Sequence, residues 1–126
     1  MFSNIHFQSI ATIDMARATE FWRDVMGFEV EVDAPYGDSR WVMLRISGAQ
    51  TLLHLDQVEA IEPPQKPNLV LLSPDVDAAC ETLISRGTKI LQGPDVAPWD
   101  PGTRWAMIHD SEGNLILLQT IGEAGV

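Results

Sequence analysis

Three histidines, one cysteine and an excess of carboxylates are the side chains here that could do chemistry. Imidazole serves as a metal ligand or as an acid–base group near neutral pH. Thiolate serves as a ligand or nucleophile. His54 sits in the apolar run Leu52-Leu53-His54-Leu55, His6 precedes Phe7, and His109 follows Ile108. No carboxylate beside His54 is an evident orienter for its ring, so it reads first as a hydrogen-bonded residue of a strand. Cys80 is alone, which excludes an intramolecular disulfide and any multi-cysteine metal site. It falls on an apolar helical stripe and reads as an inert buried thiol. No nucleophile–base pair, phosphate loop or dinucleotide fingerprint is legible.

Net charge narrows the partners. The formal charge is −10, from 18 acidic against 8 basic side chains over 126 residues. Nucleic acids and anionic membrane surfaces both call for a concentrated positive face, and no basic cluster is present. The negative field favours a cationic small molecule. No run approaches the roughly 20 apolar residues of a membrane helix. Met1-Phe2-Ser3-Asn4 lacks the charged and apolar regions of a secretory signal. A cytoplasmic protein is expected.

The elements that must position these residues come in two sets. Ile5 to Ala11 reads as a strand. Asp14 offers an N-cap for a helix with Met15, Ala18, Trp22 and Val25 at spacings of three and four, and Gly27 stops it. Phe28 to Val32 alternates as a strand, Asp33 to Asp38 reads as a turn, and a hairpin runs from Arg40 to Leu55. Residues 57–67 hold three prolines and form a connector. Leu69 to Leu72 is a continuous apolar run, expected to be a strand buried on both faces. Asp75 caps a second helix with Val76, Ala79, Cys80, Leu83 and Ile84 inward, ended by Gly87. Lys89 to Leu91 is a short strand, Gln92 to Thr103 a proline-rich loop carrying Trp99, and a second hairpin closes the pattern.

The string Arg40-Trp41-Val42-Met43 thus returns as Arg104-Trp105-Ala106-Met107, with matching caps and stops upstream. The chain reads as a tandem β-α-β-β-β repeat. Trp41 and Trp105 are expected to pack in the core, and Arg40 and Arg104 to pair with acidic neighbours. One domain covers residues 1–126, with module one at about 4–56, the connector at 57–67 and module two at about 68–120.

Such a repeat resembles the vicinal oxygen chelate superfamily of glyoxalases, bleomycin-resistance proteins and extradiol dioxygenases. Asp14-Met15-Ala16-Arg17-Ala18-Thr19-Glu20-Phe21-Trp22 with Met26-Gly27-Phe28-Glu29 is similar to the family's first helix and the strand after it. Asp75-Val76-Asp77-Ala78-Ala79 with Arg86-Gly87 is similar to its second helix. Gly93-Pro94 and Pro98-Trp99 resemble the loop before the last hairpin. Asp110-Ser111-Glu112-Gly113-Asn114 resembles its terminal turn, with Ser where Pro is usual.

The resemblance implies an α+β fold in which two β-α-β-β-β modules form a curved mixed sheet, as half-barrels, around a cavity with helices outside. It also implies a homodimer, and in the enzymes one divalent metal bound by a residue from the first and last strand of each module. Counting from the helix caps and the turn glycines places those positions at Phe7, Leu52, Asn68 and Leu117. Phe and Leu coordinate nothing, so the usual metal site is absent and no metal cofactor is expected. His54, two residues past Leu52, shares its face, with Gln119 as its expected counterpart, whereas His6 faces the other way. Trp99 overhangs the cavity mouth in the resembled fold.

The ligand-binding candidates are therefore Phe7, Leu52, His54, Asn68, Trp99, Leu117 and Gln119, with no catalytic residue assigned. The leading expectation is a protein that binds a small organic molecule without metal. A metal-dependent lyase or dioxygenase with a displaced metal site is the alternative. A dimerisation module with a filled cavity is the third.

Overall fold

The computed structural model describes residues 1–122. It forms two compact units, Met1–Glu62 and the chain from Pro63 onward. Each is one β-α-β-β-β module with a four-stranded mixed sheet. No helix among the described residues is long and apolar enough to cross a membrane.

The first unit contains β1 (Phe7–Thr12), α1 (Met15–Glu20), β2 (Glu29–Tyr36), β3 (Ser39–Arg45) and β4 (Leu52–Gln57). Its sheet order is β1-β4-β3-β2, with β1 parallel to β4 and the other pairs antiparallel. A parallel neighbour requires a crossover, and α1 supplies it. Asp14 starts that helix as the sequence predicts, its Oδ1 accepting from Arg17 N–H at 3.0 Å. The helix then widens into a π-turn over Phe21–Val25, where Met26 N–H reaches Phe21 O at 3.0 Å. Gly27, at φ +80°, lets Phe28 N–H close the end onto Trp22 O.

The core of this unit is the helix-facing side of the sheet. Val42, Leu44, Leu53, Leu55 and Ile10 are buried there, and Met15, Ala18 and Trp22 are buried on the helical segment. Trp22 is fully buried, with Phe21 and Phe28 edge-on at 5.5 and 5.1 Å. Its Nε1–H is the one fully buried side-chain polar atom without a partner among the described residues.

The second unit contains β5 (Leu69–Leu72), α2 (Val76–Ser85), β6 (Ile90–Ala97), β7 (Asp100–His109) and β8 (Leu115–Gln119), in sheet order β5-β8-β7-β6. Asp75 caps α2 through Ala78 N–H at 3.0 Å. Val76, Cys80 and Leu83 are buried on the helix, as are Ala106, Ile108, Ile116 and Leu118 on the sheet. The turn between β7 and β8 is built on Asp110. Its buried carboxylate accepts from Glu112 N–H, Asn114 N–H and Asn114 Nδ2 at 2.8–2.9 Å. Only Gly113 of the Gly-Asn pair has positive φ; Asn114 contributes its amide instead.

Several sequence expectations are corrected. Asp33–Tyr36 is strand, because β2 lies at a sheet edge, where the missing N–H of Pro35 costs no ladder bond. Gln92–Ala97 and Asp100–Thr103 are likewise strand, so the expected loop shrinks to a tight tip at Pro98-Trp99. β5 is not covered on both faces, since Val70 and Leu72 are 54% and 58% exposed at the edge of their sheet. Ile84 points outward from α2. The repeated Trp41 and Trp105 are only half-buried, and Trp22 is the tryptophan of the core. Arg40 and Arg104 do pair with carboxylates, but with different ones: Asp33 across the hairpin, and Asp77 on α2.

Gly93 and Gly37 offer a paired stability test. Both have positive φ, but a Cβ on Gly93 would collide with Trp105 O, whereas one on Gly37 would meet nothing within 4 Å. Gly37→Ala should cost about 1 kcal/mol for the left-handed backbone alone. Gly93→Ala should cost about 2 kcal/mol or more, because rigid backbone must also move. Urea denaturation of the two variants measures the difference.

Candidate functional site

In the first module β1 and β4 pair in register, with Phe7 opposite Leu52 and Ser9 opposite His54. On β3, Met43 stands opposite His54. Residues in register share a face, and the period of two alternates them. One face therefore carries Ile10, Leu53, Leu55, Val42 and Leu44 against the helix. The other presents Phe7, Ser9, Trp41, Met43, Leu52 and His54.

On that second face the aromatic rings form a connected group. Trp41 lies tilted over His54, with ring centroids 4.1 Å apart and planes 34° from parallel. Phe7 meets His54 edge-on at 5.4 Å and Trp41 at 6.1 Å. Tyr36 leans on Trp41 at 5.6 Å. Ser9 Oγ is 2.9 Å from His54 Nδ1. The imidazole is thus fixed in its plane by hydrogen bonding and across it by stacking. His54 is only 7% exposed. Burial lowers its pKa, opposed by the nearby negative charge of Asp56. Burial thus favours the neutral ring, and among the described residues Nε2 has no hydrogen-bond partner.

A cleft of about 470 Å³ opens beside this group, lined by Tyr36, Asp38, Arg40, Trp41, His54 and Asp56 among others. Among the described residues Arg40 is its only cation, and both ends of its guanidinium fork engage the Asp33 carboxylate, with Nε to Oδ1 at 2.8 Å. Gln57 closes one wall by donating to Ile13 O at 2.6 Å and accepting from Ser39 Oγ at 3.1 Å. The cleft offers an aromatic floor, one orientable imidazole nitrogen and an acidic rim. Such a surface suits a flat organic molecule.

Of the residues named from sequence, Phe7 and His54 are in direct ring contact, with Leu52 buried at the start of β4. In the second module, Asn68 is exposed, and its Oδ1 accepts from Leu115 N–H at 2.8 Å, extending the β5–β8 ladder. Leu117 pairs with Met107 and Val70, and Gln119 with Trp105. Trp99 is at the β6–β7 tip, 54% exposed, its ring 6.0 Å from that of Trp105. His6 and His109 are exposed. Cys80 is buried, and burial pushes its thiol pKa up.

The ladders also correct the correspondence between modules. Met43 faces His54 and Met107 faces Leu117, so Leu117, not Gln119, is the counterpart of His54. Gly48 is not the counterpart of Gly113, because the stretch from Met43 to His54 is one residue longer than that from Met107 to Leu117. The positions that bind metal in the resembled enzymes then fall on Phe7, His54, Asn68 and Leu117. These comprise one imidazole already bound to Ser9, one amide committed to backbone, and two hydrocarbons. They do not fit a divalent ion. Among the described residues no three of His, Cys, Asp and Glu come together elsewhere.

Sequence reading missed Ser9, Tyr36 and Asp56, and read Trp41 as core. Alternation from Phe7 would place Ser9 on the site face. Pairing Ser9 with His54 needs the β1–β4 register, which no local signal encodes.

Comparison with known proteins agrees with the architecture. The family model described as Glyoxalase/Bleomycin resistance protein/Dioxygenase superfamily matches residues 4–118. TnmS3, an antibiotic binding protein from Streptomyces sp. CB03234, is 32% identical, with 94% of this chain and 96% of that chain covered and a TM-score of 0.81. A glyoxalase/bleomycin resistance protein from the same organism is 35% identical over 92% of this chain and 98% of its own, with a TM-score of 0.73. The uncharacterized protein YetH of Bacillus subtilis (strain 168) is 25% identical over 94% of this chain and 99% of its own length.

The buried neutral imidazole has a thermodynamic consequence. The unfolded chain takes up the proton first, near the ordinary value of 6.5, because the folded value is lower. His54 therefore draws stability away as pH falls below about 6.5 and has no effect above it. His54→Gln, which keeps a polar partner for Ser9 but cannot titrate, should lose less stability than wild type between pH 7 and 5. Denaturation midpoints across that range measure it, and parallel curves would contradict the buried neutral ring.

Proposed function

The chain belongs to the glyoxalase/bleomycin resistance protein/dioxygenase superfamily, and on that premise we propose that it binds a small, flat organic molecule without metal, in the first-module cleft. The observation that carries this reading is the Trp41–His54 stack bordered by Tyr36 beside an open cleft. Large aromatic side chains held rigid, with one face toward a cavity, bind planar ligands at little entropic cost. The cleft volume falls within the roughly 300–1,000 Å³ of small-molecule sites. That TnmS3 is an antibiotic binding protein supports the same class of role.

A displaced metal site would need donors around His54 that the first module does not bring there. A module filled by its own side chains would have no cleft at this face. The homodimer and the cytoplasmic location expected from sequence and resemblance belong to this proposal, and sedimentation of the purified protein tests the first.

Titration with planar aromatic probes such as acridine and naphthalene derivatives, followed by melting temperature and tryptophan quenching, tests the binding reading. A ligand specific for the folded state must raise stability by mass action. Trp41→Ala should weaken the best probe by roughly tenfold or more, about the worth of one buried aromatic contact. His54→Ala should weaken it more than His6→Ala. Chelator should leave the affinity unchanged. Loss of binding on metal removal would overturn the proposal, as would equal affinity of the Trp41→Ala protein.

A further inference from the structure

Ser9 and His54 have the arrangement of a hydroxyl and its base, on a surface that reagents can reach. Ser9 is exposed on β1, at the end of its sheet, with Oγ 2.9 Å from His54 Nδ1. The ladder bonds to β4 use alternate residues of β1, as Leu52 N–H to His6 O at 2.9 Å and Val58 N–H to Thr12 O at 2.8 Å show. Ser9 N–H therefore points away from β4, toward the sheet edge. A hydroxyl, a fixed imidazole and an outward N–H on the same residue are the minimal parts for acyl transfer.

We propose that Ser9 is a nucleophile and His54 its general base, and that the pair accepts the acyl group of an activated aryl ester whose ring lies in the Tyr36–Trp41 cleft. Ser9 Oγ attacks the acyl carbon, and the Oγ proton passes to His54 Nδ1, whose ring carries its other proton on Nε2. The ester C–O bond breaks and the aryl oxygen leaves as the phenolate. His54 gives that proton to solvent, then takes one from the water that attacks the acyl-serine and passes it to Ser9 Oγ, releasing the carboxylic acid and restoring both residues. Asp56, whose charge already favours the protonated ring, stabilises the imidazolium formed on the way. The stack of Trp41 on His54 keeps Nδ1 aimed at Ser9. This step goes beyond ligand binding and does not depend on which natural ligand the cleft holds.

The test is 4-nitrophenyl acetate applied to the full-length protein at pH 7.5. Intact mass and peptide mapping follow the acetyl group, and absorbance follows nitrophenolate. The expected result is one acetyl group per chain on Ser9, formed roughly tenfold or more faster than in Ser9→Ala or His54→Gln. Ser9→Cys should restore labelling, because a thiol takes the same place beside the base. Acetyl groups found only on lysines or the amino terminus would overturn the proposal. So would labelling of Ser9 at the same rate in folded His54→Gln, with circular dichroism reporting folding. Mapping in the wild type answers the question without any variant.

Discussion

The structure depends on one constraint, the parallel pairing of the first and last strands of each module. Parallel neighbours cannot be joined by a tight turn, so the chain must leave β1, cross over and return. That crossover is the helix, and its apolar stripe must cover one sheet face. Everything at the site follows from which face remains. With β1 against β4 in register, Ser9 and His54 are opposite each other, and Trp41 on β3 falls beside them. A slip of one residue would turn His54 toward the helix and bring Leu53 or Leu55 to the site face.

What local chemistry determines was legible in the sequence. Asp14 and Asp75 cap their helices because their carboxylates accept from N–H groups three residues on, a contact that lies within the sequence window. The matched caps, glycine stops and Arg-Trp strings gave the two β-α-β-β-β modules. Non-local matters were not legible. Pro35 and Pro94 suggested loops, but prolines on edge strands cost little, and edge status is a property of the whole sheet. Trp22 and Trp41 look equivalent as tryptophans. The first is buried because α1 and the π-turn turn it inward, and the second is half-exposed because β3 turns it to the opposite face. Counting from glycines misaligned β4 by two residues, because Gly48 and Gly113 occupy turns of different construction. The aligning information is in the Met43–His54 and Met107–Leu117 pairs, which only the folded ladder reveals.

The repeated Arg-Trp string illustrates the limit of sequence identity. Arg40 bonds Asp33 within a hairpin, and Arg104 bonds Asp77 on a helix. Both pairs are on the surface, where such interactions contribute little to stability. The two arginines share a strand position and not a role. The string marks the strand that each module builds third, and function is carried by what stands opposite it.

Duplication supplies an internal control for the site. Ladder by ladder, Ser9 corresponds to Val70, His54 to Leu117 and Asp56 to Gln119. The second module folds to the same topology with two hydrocarbons and a neutral amide at these places, so the fold itself has no need of a hydroxyl, an imidazole and a carboxylate there. Burying an imidazole where leucine suffices is unfavourable unless its hydrogen bonds are met, and among the described residues only Nδ1 has a partner. A nitrogen left open toward a cleft, in one module and not in its copy, is not explained by packing. It is explained if the first module contacts a ligand there and the second contributes structure alone.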